Sequence, residues 1–396
     1  MPRKILTVLL LLLAPAVSAL AEDARHTPQL LLNAQRIRRL KRDRERNTAR
    51  WVNFENRVKT VPDSPERGFE LALYYAVTGD EAQGREAVVW ALSHRSARQT
   101  ALILDWCAPL LSADETKKLN GCPEPSDNKT RFATARDCAF QQIASGAELT
   151  LPTDELLRGR FAWLMEDGFK NSAELYALFE WIYAVRADKH IDLRESAAHF
   201  FSGLPMELLL SAKPRELNSP DWMKHAAALA LVAIDPNLPG SQFLQSWALE
   251  DGQTLREGPG VAYELLWADP YLPGVGYQNM EPWVYDDQGR LYARSGWDLD
   301  SCWMEISAQG AKQENCPPQW QQETATFGHL TLIPMTGRCA QIPRVANNES
   351  IMVWKLKPGQ KMIHGKGKEQ RTSEADSAGL WRPGANVEGK VCALAH

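Results

Sequence analysis

The sequence lacks the short motifs by which several common enzyme classes are recognised. It contains no C-x-x-C pair, so it supports neither a zinc ribbon nor a thioredoxin-type redox site. It also contains no G-x-S-x-G nucleophile elbow, no phosphate-binding loop and no H-E-x-x-H helix. These absences exclude the hydrolases, nucleotide-binding enzymes and metallopeptidases that depend on those motifs.

A strong charge of one sign is absent as well. The formal net charge is −4, and without Arg3 and Lys4 it becomes −6 (−4 minus 2). A chain with this balance offers no general attraction for nucleic acid, so we expect no nucleic-acid partner. Basic residues do cluster between residues 36 and 50, where regularly spaced apolar residues indicate the solvated face of a helix.

Long apolar runs are missing beyond the first residues. Met1–Ala21 combines a basic start, a short apolar run and a small-residue cleavage site at Ala19–Ala21, which is typical of a secretory signal peptide. About 20 apolar residues are needed to span a bilayer, and this run is shorter. We therefore expect an exported protein, periplasmic or secreted, without a stable membrane span after cleavage. An uncleaved signal that acts as an anchor is the alternative.

Seven cysteines suit an oxidising compartment. Four of them, Cys302, Cys316, Cys339 and Cys392, lie near the C-terminus, where two bridges could staple a small β-domain. The odd number leaves at least one thiol unpaired, and spacing alone does not give the connectivity.

Residues 22–250 carry a helical pattern. Asn33 is placed to cap a helix over residues 34–59, and Gly79 marks the end of the first helix of a hairpin. A tetratricopeptide-type solenoid is one interpretation of repeated hairpins. No period near 34 residues recurs, however, so a toroid of irregular helical hairpins fits better.

The composition changes after residue 250. Residues 251–290 form a connection rich in Gly, Pro and aromatic residues, and residues 291–396 alternate as β-strands do. Trp267, Tyr277 and Trp283 offer flat apolar faces that suit sugar rings. The alternative is that these aromatic residues only pack the helical part against the sheet.

Two neighbouring segments carry a more specific signal. Arg294-Ser295-Gly296-Trp297 is followed by residues 319–327, with Gln319, Gln321, Glu323 and Ala325 before Phe327. Together they resemble the start of the β-domain in heparinase II/III-like polysaccharide lyases, where an RS-x-W strand precedes H-x-H-x-D-x-G-x-F. Both histidine positions hold glutamine here, which supplies no imidazole to a metal ion. We therefore expect no metal ion and no cofactor.

Other segments are similar to the same family in the same order along the chain. They are Pro28–Leu32, Leu71–Asp80, Leu104–Trp106 and the Glu257-Gly258-Pro259-Gly260 run. The resemblance implies a mainly α, then β architecture: an (α/α) toroid of helical hairpins followed by a small antiparallel β-domain.

The resemblance also implies a chemistry, β-elimination on an acidic polysaccharide. This reaction needs a group that neutralises the uronate carboxylate and a base that removes the adjacent proton. Carried over, these roles fall near Tyr263 as the base and Asn171 as the neutralising group, while His329 follows the altered motif closely. The alternatives are a packed core tyrosine, a helix N-cap and a strand-edge histidine.

Glu257, Trp267, Tyr277 and Trp283 complete the predicted site as substrate-binding residues. The leading hypothesis is an exported lyase that cleaves uronate-containing glycans, although the loss of both histidines leaves its activity open. A non-catalytic glycan-binding or envelope scaffold protein is the second hypothesis. An α-solenoid interaction protein without a β-domain is the third.

Overall fold

The protein is described here by a computed structural model. It covers residues 27–121, 132–151, 157–159, 161, 171–218, 221–250, 258–285, 289–318, 323–335, 339–342, 351–357, 359–364, 371–376, 378–382 and 389–393. The predicted signal peptide, Glu257, Gln319 and Gln321 lie outside the described residues.

The first two thirds of the described chain are helical, as the sequence predicts. Short 3-10 segments interrupt the α-helices at Ala108–Leu110, Leu193–Ala197 and Tyr277–Asn279. None of the helices in the described part is both long and apolar enough to cross a membrane. The α-helices are Ala34–Glu45, Ala49–Thr60, Arg67–Thr78, Glu81–Ser93, Ala97–Trp106, Ala113–Leu119, Phe132–Ser145, Ser172–Lys189, Ala198–Leu210, Pro214–Asn218, Trp222–Ile234, Pro239–Ala248 and Gly260–Trp267.

The first predicted helix is divided in two. Asn33 caps its start as expected, since its side chain accepts the Arg36 N–H at 2.8 Å. The helix then ends at Glu45, and Asn47 adopts a left-handed backbone conformation with φ +48°. Asparagine tolerates this conformation better than most residues, and Thr48 caps the next helix. The prediction of one continuous helix over residues 34–59 is therefore wrong.

Two of the segments that carry the family resemblance contact each other. The Asp105 carboxylate accepts the backbone N–H groups of Gln29 and Leu30, at 2.9 and 2.7 Å. Trp106 donates its indole N–H to the Leu30 carbonyl at 2.9 Å. The N-terminal segment is thereby fixed to the helix Ala97–Trp106, so these matching residues serve the fold.

The described residues divide into two compact units. The first comprises those within Met1–Thr130, Thr134–Thr150 and Tyr183–His190, and the second those within Arg131–Ala133, Leu151–Ile182 and Ile191–His396. In the second unit the helix Pro239–Ala248 packs against both Ala198–Leu210 and Trp222–Ile234. All the strands belong to this unit.

The described strands form three four-stranded sheets. Their strand orders are β1-β2-β3-β4, β10-β9-β12-β7 and β11-β8-β6-β5. The strands are β1 (Trp283–Tyr285), β2 (Leu291–Arg294), β3 (Trp303–Ser307), β4 (Gly310–Glu314), β5 (Ala325–Phe327), β6 (Leu330–Pro334), β7 (Cys339–Ile342), β8 (Ile351–Lys355), β9 (Lys361–His364), β10 (Arg371–Glu374), β11 (Leu380–Trp381) and β12 (Gly389–Ala393).

The sheets differ from the prediction in one pairing. All described strand pairs are antiparallel except β6 with β8, which run parallel with Leu332 opposite Val353. A parallel pair needs a crossover of a dozen or more residues, and the chain between Pro334 and Ile351 is long enough for it. The predicted order, helices followed by a small antiparallel sheet region, is confirmed, with this one parallel pair as an exception, and the presence of strands excludes the α-solenoid hypothesis.

Two disulfides staple the β part, which confirms that its four cysteines form two bridges. Cys302 is bonded to Cys316, and Cys339 to Cys392. Cys107 is a free, buried cysteine, and burial raises the pKa of its thiol to about 12. The first and third sheets share one buried cluster, which includes Leu291, Met304, Leu330, Leu332 and Val353.

Candidate functional site

Tyr263 lies inside the helical core of the second unit. Every residue of its helix, Gly260–Trp267, is buried, and Tyr263 itself is 1% exposed. Its ring meets the edge of Tyr176 at 5.0 Å between centroids and packs against Trp222 at 5.3 Å. A polymer cannot reach this hydroxyl in the conformation described, so the arrangement favours the core interpretation of Tyr263.

A buried hydrogen-bond chain passes beside Tyr263. Trp267 donates its indole N–H to the Tyr176 hydroxyl at 2.8 Å, and that hydroxyl donates to Glu180 at 2.7 Å. Trp267 is 2% exposed and Glu180 is fully buried. Neither Tyr176 nor Glu180 was predicted from the sequence. Their i, i+4 spacing was the available signal, but it lies within the apolar central stretch of the helix, residues 175–185.

Asn171 stands at the start of the helix Ser172–Lys189. Its side-chain oxygen accepts the backbone N–H of Glu174 at 3.1 Å, and its carbonyl accepts the N–H of Leu175. This is the geometry of an N-cap, in which a side chain satisfies an otherwise unpaired helix donor. The arrangement therefore favours the capping interpretation of Asn171.

His329 lies at the tip of a hairpin. Gly328, with φ +54°, turns the chain between β5 and β6, and His329 follows on the exposed side. Its Nδ1 lies 2.6 Å from a carboxylate oxygen of Glu281. The partner that the structure describes for this imidazole is thus a surface carboxylate.

Three of the predicted sugar-binding aromatic residues are engaged in packing. Trp267 is enclosed as described above, and Trp283 on β1 packs against the cluster shared by the first and third sheets. Tyr277 is 7% exposed and donates its hydroxyl to Glu250 at 2.8 Å. Burial and this carboxylate raise the pKa of Tyr277 to about 12. The packing interpretation accounts for their positions.

The arginine of the RS-x-W segment hydrogen-bonds to the C-terminal end of the helix Ala198–Leu210. Arg294 is fully buried and donates to the carbonyls of Leu209 and Ala212, at 3.4 and 3.2 Å. Trp303, paired with Arg294 across β2 and β3, donates its indole N–H to the Leu210 carbonyl at 2.8 Å. A cation beside the carbonyl end of a helix is favourable, whereas desolvation lowers the pKa of the guanidinium to about 10.

The residues that the structure describes include an accessible concave surface away from Tyr263, lined mainly by the β part. One cavity of about 520 Å³ adjoins another of about 450 Å³, because Asp300 and Asn315 line both. We call the two cavities together the Asp300 groove. Its other lining residues are Arg215, Ser295, Leu299, Cys302, Glu314, Pro317, Glu323, Thr324, Ala325, Thr326 and Phe327.

Local bonds hold one wall of the Asp300 groove in place. Asn315, in a left-handed conformation with φ +56°, donates its amide to the Leu299 carbonyl at 2.8 Å. Ser295 and Cys302 exchange hydrogen bonds of 2.9 and 3.0 Å. The Cys302–Cys316 disulfide closes the same loop. A wall fixed in this way is preorganised for binding, since little order is gained on contact.

Other residues of the lining come from the segment that resembles the family motif. Glu323, where the resemblance would put an aspartate, and Ala325, where it would put a glycine, both line the smaller cavity, as does Phe327. Among the described residues no group of three or more His, Cys, Asp or Glu side chains could hold a metal ion. The motif segment therefore still borders a cavity, while the described part of the chain offers no metal centre there.

Comparison with known proteins adds no relationship. No protein-family model matches the chain, and no curated protein matches it. The resemblance to heparinase II/III-like lyases therefore stays a prediction that rests on the sequence segments quoted above.

Proposed function

We propose that this chain is an exported glycan-binding protein whose ligand lies in the Asp300 groove. The observation that carries the proposal is the groove itself, an accessible concave surface beside the segment where the family resemblance would put active-site residues. By contrast, Tyr263 and Trp267 are enclosed, and Asn171 caps a helix. This arrangement supports binding without cleavage better than it supports β-elimination.

The lining of the groove has the chemistry that sugars require. Carboxylate and amide groups, as in Asp300, Glu323 and Asn315, can accept hydrogen bonds from adjacent hydroxyls. Leu299 is 59% exposed and offers an apolar surface to the C–H face of a ring. A few convergent polar groups around an apolar surface are typical of small-molecule and sugar sites.

The wider proposal keeps the architecture that the resemblance implies. We infer that the helices belong to an (α/α) toroid and that the mature protein is periplasmic or secreted. Cleavage of an acidic polysaccharide stays a prediction of the lyase hypothesis. It requires Tyr263 to become accessible, because a proton acceptor must reach within hydrogen-bonding distance of the substrate.

Affinity electrophoresis against a panel of soluble neutral, amino-containing and uronate-containing polysaccharides tests the proposal. We expect the wild type to be retarded by at least one glycan and Asp300→Ala to lose most of that retardation. Asp298→Ala is the matched control, since Asp298 is an exposed carboxylate in the same loop that lines neither cavity. Equal retardation of wild type and Asp300→Ala, or none on any glycan, would overturn the proposal.

The same panel, followed in the near ultraviolet, decides between binding and cleavage. A lyase releases an unsaturated sugar that absorbs there, and Tyr263→Phe would abolish that product if Tyr263 were the base. We expect no unsaturated product from either protein. Product from the wild type but not from Tyr263→Phe would establish the lyase hypothesis instead.

A further inference from the structure

We propose that the Asp300 groove discriminates by charge: it binds uncharged glycans, binds amino-containing glycans more tightly, and rejects uronates. The inference rests on the proposed glycan-binding function and specifies its ligand class. It differs from the acidic substrate that the sequence resemblance implies.

The smaller cavity carries negative charge without a cation in its lining. Asp300 and Glu323 are both exposed, and both line this cavity. Within the described part of the chain, neither carboxylate has a hydrogen bond or an ion pair. A uronate carboxylate placed here would therefore approach two carboxylates that have no ion pair in the described part of the chain, and like charges repel at close range.

The larger cavity carries charges of both signs. Arg215 is the cation in its lining, together with the carboxylates of Asp300 and Glu314. The nearest described cation to Glu314 is Lys213, whose Nζ is 3.8 Å from the carboxylate, and both side chains are partly exposed. Counted together, the groove lining and Lys213 beside it carry three carboxylates (Asp300, Glu314 and Glu323) and two cations (Arg215 and Lys213), which leaves a net charge of −1.

The physical consequence is a ranking of ligands rather than mere attraction. Sugar hydroxyls donate to carboxylates, so an uncharged glycan can hydrogen-bond in this groove without charge repulsion. A protonated amine on the ring adds a charge-assisted hydrogen bond to Asp300 or Glu323. A carboxylate in the same place can only accept hydrogen bonds, and these side chains have none to donate when ionised.

Three oligosaccharide probes of equal length test this ranking: fully N-acetylated chito-oligosaccharide, its deacetylated form and oligogalacturonate. We expect the deacetylated probe to bind about tenfold more tightly than the acetylated one at low salt, and the uronate about tenfold more weakly. High salt should reduce both affinity differences. The double variant Asp300→Asn/Glu323→Gln should reduce them at low salt as well, while Asp298→Asn should leave the order of affinities unchanged.

The outcomes separate this inference from the function on which it rests. Uronate binding as tight as that of the acetylated probe would overturn charge discrimination while leaving glycan binding in place. An unchanged ranking in the double variant would also overturn it, because the selectivity would then arise outside the groove. Failure of all three probes to bind would overturn this inference, and the proposed function would be overturned with it only if no glycan of the electrophoresis panel retarded the wild type.

Discussion

The side chain of Asn171 separates a structural role from a catalytic one. As an N-cap it satisfies the Glu174 N–H, so Asn171→Ala should lower the free energy of unfolding by about 1 kcal/mol. Asn171→Asp should retain the stability, because aspartate caps helices and suits the positive end of the helix dipole. Urea unfolding of the three proteins measures both effects.

Glycan retardation provides the second readout for Asn171. We expect all three proteins to bind alike, because nothing in the capping role reaches the Asp300 groove. A variant that kept its full stability but lost a glycan-dependent activity would contradict the capping account and restore Asn171 to an active site.

Residue types were easier to predict from the sequence than their surroundings. Tyr263, Asn171 and Trp267 each had a structural alternative, and the contacts described favour that alternative in each case. Burial decides between such roles, and burial depends on which distant segments pack together. Tyr176 and Glu180 were not predicted either. Trp267, which donates to Tyr176, lies 91 residues away in the sequence, and the Tyr176–Glu180 pair lies within an apolar stretch of one helix.

At the scale of elements, a hydrogen bond from Trp303 joins β3 to the helix Ala198–Leu210, and its contribution to stability can be measured. Trp303→Phe should remove the indole donor and leave the buried Leu210 carbonyl without it. The matched control is Trp354→Phe, because Trp354 is also fully buried but its indole nitrogen has no hydrogen-bond partner in the described structure.

Both substitutions remove a similar amount of packing, but only Trp303→Phe also removes a buried hydrogen bond. We therefore expect Trp303→Phe to lower the free energy of unfolding by about 1–2 kcal/mol more than Trp354→Phe. Thermal or urea unfolding compares the two variants directly. Equal destabilisation would show that the Trp303 hydrogen bond contributes little to the junction.

Elements with local signals were predicted well, and those that depend on distant contacts were not. Trp222–Ile234 and the Gly79 helix end follow from periodicity and from glycine's access to positive φ. The helix Gly260–Trp267 lies within the predicted connection, because flanking Gly and Pro masked its short apolar run. The parallel β6–β8 pairing depends on a crossover, which local alternation does not encode.

At the scale of the whole molecule, the two disulfides described in the β part differ in what they support. Cys302–Cys316 holds a wall of the Asp300 groove, whereas Cys339–Cys392 joins β7 to β12 and lines neither cavity described there. Replacing either pair by alanine should lower stability by about 2–4 kcal/mol. Only the Cys302→Ala/Cys316→Ala variant should also weaken glycan binding, because it loosens the binding wall.

Unfolding midpoints and glycan retardation, measured on both double variants under conditions where they remain folded, test this distinction. Equal loss of glycan binding in the two double variants would mean that the groove depends on the general stability of the β part and not on the Cys302–Cys316 disulfide in particular.

The segments that carry the family resemblance share a structural character. Asp105 and Trp106 hydrogen-bond to the backbone of the N-terminal segment, and Gly79 ends the helix Arg67–Thr78. Arg294 donates to a carbonyl at the end of the helix Ala198–Leu210. Such residues can persist when catalysis is lost, since they satisfy buried backbone groups that the fold cannot leave unpaired. The order that the resemblance implies, helices followed by strands, is confirmed, while the reactive centre that it implies stays a prediction.

Hydrogen exchange of the wild type, with and without a saturating uncharged chito-oligosaccharide, tests the location of the binding site most directly. The account predicts slower exchange in peptides covering residues 295–302 and 323–327, with the helix Gly260–Trp267 unchanged. Protection of that helix and of the segment around Asn171, with none in the Asp300 groove, would contradict it and return the site to Tyr263.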